Sequence, residues 1–139
     1  MKKVLIVEDD LSIADLLQSS LEMGGFWVIG VAQDVEEALE AARQHKPDFA
    51  VVDVHLAKGG LGTEVGACLR RMKNIGILFS TGNDQVKTLT SLVGDAVMMK
   101  PYRLSDVGRG LKIIDEIMRI GQSQLAFPRS FRLLAPAIN

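Results

Sequence analysis

Five residues in this 139-residue sequence carry groups able to do chemistry together. Glu8-Asp9 closes the apolar run VLIV, Asp53 closes FAVV, Thr81 follows ILFS and Lys100 follows AVMM. A carboxylate at the end of a run that reads as buried is costly unless something pairs with it or uses it. Three carboxylates brought together repel and raise each other's pKa unless a cation sits among them. Hard oxygen donors without His or Cys suit Mg²⁺, which keeps several waters and is commonly completed by a phosphate. With a lysine to face an anion and a hydroxyl to donate, the set suits phosphoryl transfer to an aspartate. Asp53 is the expected nucleophile, because the other groups flank it on both sides.

The five residues converge only if the intervening chain brings them to one edge. Residues 4–7, 26–31, 49–52, 75–80 and 96–99 are short apolar runs bounded by charge, Gly or Pro, as expected of strands buried on both faces. Helical spacing fills the gaps. Ile13, Leu16, Leu17 and Leu21 form one stripe, closed by Gly24-Gly25. Asp34 and Glu37 open a second helix, and Val65, Cys68, Leu69 and Met72 mark a third. Residues 86–93 make a weak fourth, with Thr88, Thr90 and Ser91 lowering its propensity. Ser105 is a candidate cap for the last helix, whose inward face is Val107, Leu111, Ile114, Ile117 and Met118.

Five strand-then-helix repeats with right-handed crossovers predict an α/β three-layer sandwich around a parallel five-stranded sheet. In such open sheets ligands bind beyond the carboxyl ends of the strands. Glu8, Asp9, Asp53, Thr81 and Lys100 all fall there, whereas the second strand delivers no charge. Asp48 and Asp95 stand at strand starts, and at roughly 3.3 Å per residue Asp48 belongs about 16 Å from Asp53, as a surface cap.

Bulk properties narrow the function. The chain is 47% hydrophobic and 24% charged, a globular balance, and its net charge of -1 gives no basic footprint for nucleic acid. No apolar run approaches the roughly 20 residues of a membrane span, and no signal peptide is evident. Cys68 is the single cysteine, so a reducing, cytoplasmic setting is expected.

The motifs VLIVEDD, VVDVHL, ILFSTG and MMKP, in that order, resemble the receiver domain of two-component response regulators over about residues 2–120. The resemblance implies a flavodoxin-like (βα)5 fold with strand order 2-1-3-4-5, an order for which receivers are themselves a standard example. It also implies a phospho-accepting Asp53, a Mg²⁺ organised by Glu8, Asp9, Asp53 and the backbone carbonyl of His55, a switch hydroxyl on Thr81 and a phosphoryl-facing Lys100. Pro101 resembles the residue associated with a cis peptide at this place. His55 and Asn83 are candidate modulators of the phosphorylated state's lifetime. The implied partners are a sensor histidine kinase and a downstream protein, with homodimerisation possible.

Departures from the family pattern are specific. Val97 stands three residues before Lys100, where receivers usually carry an aromatic switch, and Tyr102 is the nearest aromatic substitute. GILFSTGN is similar to the F-x-[ST]-G motif of a receiver subclass that often pairs with HWE-type histidine kinases and has a short fourth helix. Activation is then expected to order or repack residues 83–95.

The expected domain spans residues 1–120. Residues 121–139 are expected to form a tail with no output domain, packing on its own domain or docking on a partner. The leading reading is phosphorelay signalling with only self-phosphorylation and self-dephosphorylation at Asp53. The alternatives are an aspartyl-phosphate-type phosphatase, disfavoured because Asp53-Val54-His55 lacks a second acid, and a binding-only pseudo-receiver.

Overall fold

The structure, a computed structural model, describes residues 1–136, apart from the side chains of residues 83–85. Strands β1 (Lys3–Val7), β2 (Trp27–Ala32), β3 (Phe49–Asp53), β4 (Gly76–Thr81) and β5 (Ala96–Met99) form a parallel sheet in the order β2-β1-β3-β4-β5. Helices α1 (Leu11–Met23) and α4 (Leu104–Ile120) pack on one face, and α2 (Val35–His45) and α3 (Gly62–Met72) pack on the other. One core layer holds Ile6, Leu17, Leu21, Phe49, Leu78, Met98, Leu111 and Ile114. The other holds Leu5, Val7, Val52, Val65, Leu69, Phe79 and Val97. Alternate residues of each strand thus feed opposite layers, which is why the strands read as unbroken apolar runs.

Local chemistry fixes most boundaries. Asp10 caps α1, its side chain accepting from the N–H groups of Ser12 and Ile13. Asp34 caps α2 by accepting from Glu37 N–H, while the Glu37 side chain accepts from Gln33 N–H. Asp48 accepts from Lys3 N–H at 2.8 Å and Asp95 from Ile77 N–H at 2.7 Å, so both acids tie strand starts, as expected.

Other expectations change. The sheet is not five-stranded: the tail adds β6 (Phe131–Leu133), antiparallel to β5. Residues 131–133 show no readable alternation, because Phe131 is buried while Arg132 and Leu133 lie open at the new edge. The fold is not five full strand–helix repeats either, since a 3-10 turn (Asn83–Thr88) replaces the fourth α-helix. Thr88 and Thr90 lower propensity there, and Val86 and Leu89 already anchor the short segment in the apolar layer. In α1 the inward residues are Ala14, Leu17 and Leu21; Leu16 is 59% exposed and Ile13 lies at the margin. The last helix starts at Leu104 with Arg103 at the cap position and no side-chain cap, leaving Ser105 exposed in the first turn, and Met118 also points outward. Cys68 on α3 is half-buried.

Candidate functional site

The carboxyl ends of β1, β3, β4 and β5 form one rim. Glu8 follows β1 directly and is buried, its backbone N–H donating to Ala32 O at 2.8 Å. Asp9 is exposed beside it, and Asp53 ends β3 half-buried. Carboxylate oxygens of Glu8, Asp9 and Asp53 all lie within 4.8 Å of one another. Lys100 reaches in from the end of β5, its Nζ 3.5 Å from Asp53 Oδ2. The rim therefore gathers the three acids and the lysine that the sequence predicts.

Its electrostatics show three carboxylates that the Lys100 amine neutralises only in part. Burial pushes the Glu8 carboxyl up to about 7, the Asp10 N–H bonded to its Oε2 at 3.1 Å opposes the rise, and Asp53 raises it further through charge and a hydrogen bond. A cation among these oxygens would relieve that repulsion. The donor set is all oxygen, which fits a hard divalent ion, and the fit is to the cluster's chemistry as well as its spacing.

Thr81 ends β4 next to Asp53, since the β3–β4 register pairs Asp53 with Ser80. Its carbonyl accepts from Lys100 N–H at 2.8 Å, tying the two strand ends together. Thr81 Oγ1 is buried and has no hydrogen-bond partner, alone in this among the buried side-chain polar atoms of the described residues. An orphaned buried hydroxyl is costly, and a group that brings an acceptor removes the cost.

The loop after Asp53 is held without proline. His55 bridges Leu61, but the bonds run through Val54 O and Leu56 N–H, so the bridge does not consume His55's own carbonyl. The His55 side chain is exposed. Gly62 lets the start of α3 lie against the Asp53 backbone, because a Cβ there would collide with Asp53's carbonyl oxygen.

Lys100-Pro101 is cis, as expected of Pro101. Tyr102 is half-buried, its hydroxyl 2.8 Å from Ser80 Oγ, and burial raises its pKa despite that bond. Val97 lies fully buried on the opposite face from Tyr102, beside Phe79 and Leu89. Tyr102 therefore does not occupy the space of a ring at position 97. The Asn83 side chain falls outside the described residues.

Sequence reasoning passed over Ser80 and Asp10. Asp10 carries a readable sign, an acid two residues before Ser12 at a helix start, whereas Ser80 has none because its partner lies 22 residues away.

The sequence model of the response regulator receiver domain matches residues 4–119. Among curated proteins, the chain is 41% identical over 133 residues to the "Alkaline phosphatase synthesis transcriptional regulatory protein PhoP" of Bacillus subtilis, covering 93% of this chain and 52% of that protein. The chain thus spans about half the length of the curated relatives it matches. Among solved structures, the signal receiver domain of a modulated diguanylate cyclase from Desulfovibrio desulfuricans superposes with a TM-score of 0.78 at 28% identity, covering 88% of this chain and 99% of that one. A CheY-like receiver domain protein from Methanospirillum hungatei gives 0.74 at 27%, covering 86% and 98%.

Proposed function

This chain belongs to the response regulator receiver domain family, and from that premise we propose that it accepts a phosphoryl group on Asp53 from a sensor histidine kinase. An Asp53 carboxylate oxygen attacks phosphorus, the bond from phosphorus to the donor nitrogen breaks, and its electron pair leaves with the donor imidazole. Glu8, Asp9, Asp53 and the His55 carbonyl would hold Mg²⁺, which would offset charge on the transferred oxygens. Lys100 pairs with one phosphoryl oxygen from the position it already takes beside Asp53 Oδ2. Thr81 donates its unpartnered hydroxyl to another. Burial lifts the Glu8 carboxyl to about 7, and a cation among these oxygens would favour its ionised form.

The observation that carries this reading is the convergence of Asp53 with both cation-binding acids and Lys100, coupled to a buried hydroxyl that lacks an acceptor. Phosphorylation adds charge and acceptor oxygens at Asp53, draws Thr81 toward them and biases the segment between Thr81 and Lys100. Downstream binding follows from that segment's rearrangement. Residues 1–120, completed by β6 from the tail, act as the receiver unit.

Acetyl phosphate with Mg²⁺ tests the proposal. Intact mass is expected to show one phosphoryl adduct, absent in Asp53→Asn and without Mg²⁺. An adduct that persists at the same site in Asp53→Asn contradicts the assignment. Sustained hydrolysis of an unrelated phosphomonoester would mark a phosphatase instead.

A further inference from the structure

The tail is built against the very segment that the rim is expected to move. After α4 closes on Gly121, a left-handed residue at φ 84°, the chain turns back along the same helix. Gln124 N–H donates to Glu116 Oε2 at 3.1 Å, and Arg109 Nε donates to Ala126 O at 2.7 Å. Phe131 then buries its ring over Gly110, where any Cβ would crowd it, and stacks edge-on with the half-exposed Phe127 at 5.1 Å.

Beyond that anchor the tail bonds only to the stretch between Thr81 and Lys100, among the bonds of the described residues. Met99 N–H donates to Ser130 O at 3.0 Å, Leu134 N–H to Asp95 O at 3.0 Å, and Ser91 N–H to Ala135 O at 2.9 Å. Arg132 stands opposite Val97 in the register. Leu134 packs into the apolar layer that also holds Val86, Leu89, Val93 and Val97. Lys100, the next residue after β5, carries the phosphoryl-facing amine.

We propose that residues 122–135 form a releasable strap: occupation of Asp53 loosens β6 from β5, and the strap in turn opposes occupation of Asp53. This rests on the phosphoacceptor reading above. The physical reason is a conflict of anchors. When Thr81 turns toward an acceptor on Asp53, the segment after it follows inward, carrying Val86, Leu89 and Ser91. The strap cannot follow, because Arg109, Glu116 and the Phe131 ring hold it to α4 independently. The strap meets that moving segment through the Ser91–Ala135 bond and through Leu134, packed with Val86 and Leu89, so the pull passes along the strap to its three-residue ladder with β5, and a short edge strand exposed on one side opens at low cost. Coupling between sites is reciprocal, so whatever loosens the strap favours the occupied rim.

Amide hydrogen exchange on the full chain tests this, with Mg²⁺ and beryllofluoride as the probe and binding at Asp53 confirmed by fluorine NMR. Met99 and Leu134 amides are expected to exchange at least ~10-fold faster in the bound state, while β1 amides stay unchanged. Unchanged or slower exchange at both, with the probe bound, overturns the strap and leaves the phosphoacceptor reading standing. No binding in the wild type, matching Asp53→Asn, overturns that reading and the strap with it. Arg132→Pro, which removes a ladder N–H, is expected to bind the probe ~3-fold or more tighter, and Arg132→Ala to behave as the wild type. Phe127→Ala, a surface change that unstacks Phe131, covers the case in which Arg132→Pro does not fold; tightening is expected there too. Equal affinity in the variants that fold contradicts the coupling.

Discussion

Lys100 Nζ stands 3.5 Å from Asp53 Oδ2, joining the ends of two strands that are not neighbours in the sheet. The pair is partly open to solvent, so its own contribution to stability is small. Its value lies in placement, since in the proposed transfer the amine already stands where charge would develop on a group bound to Asp53. Lys100→Met is expected to slow adduct formation from acetyl phosphate about 10–100-fold, from ~1.5–3 kcal/mol for a lost charge-assisted hydrogen bond, with little change in unfolding midpoint. Stopped-flow or quenched mass analysis reads the rate; a wild-type rate contradicts the role.

Glu8 gives a pH signature. Its folded-state value of about 7 lies above the usual 4.5, so the folded protein holds a proton that the unfolded chain has released. The contribution of Glu8 to stability is therefore full below about pH 4.5 and is lost as pH rises through 7. In metal-free protein, urea denaturation is expected to show this loss across pH 4.5 to 7, and Glu8→Gln to remove it. Mg²⁺ affinity should rise over the upper part of the same window, as Glu8 deprotonates. A pH-independent Mg²⁺ affinity would contradict the assignment.

Gly66 on α3 faces the segment leading into β5. A Cβ there would run into Val93's carbonyl oxygen and lie 2.8 Å from the Phe79 ring. Gly66→Ala is expected to destabilise the fold by ~1–3 kcal/mol, read from the urea midpoint, because backbone and a buried ring must both shift. A stability gain, the usual result of Gly→Ala inside a helix, would show that the contact is not held.

Tyr102 and Ser80 share a hydrogen bond beside the rim. Tyr102→Phe is expected to cost ~0.5–1.5 kcal/mol while leaving adduct formation within about 3-fold of wild type. Loss of the adduct would instead give the Tyr102 hydroxyl a part in the transfer.

The rim was legible in the sequence because each of its residues terminates an apolar run, and one geometric rule places all such ends on one edge. Asp48 and Asp95 were separated from it by the same rule. What escaped depends on contacts distant in sequence. Strand β6 forms because β5 otherwise leaves an open edge and Gly110 leaves room for Phe131, neither visible in residues 131–133. The α1 stripe misread Leu16 and Ile13 as inward because spacing does not say that Ala14 faces the sheet more directly. The weak fourth helix was rightly suspected from its threonines, but that a 3-10 turn would replace it depends on Val86 within the turn and Leu89 just after it packing into the apolar layer.

A crystal structure with Mg²⁺ and beryllofluoride tests the central claim most directly. The beryllium is expected on Asp53, the cation among Glu8, Asp9 and Asp53, and fluorine atoms within hydrogen-bond reach of Lys100 Nζ and Thr81 Oγ1. Beryllofluoride on another residue, or bound at Asp53 with the Thr81 hydroxyl still unpartnered, would contradict it.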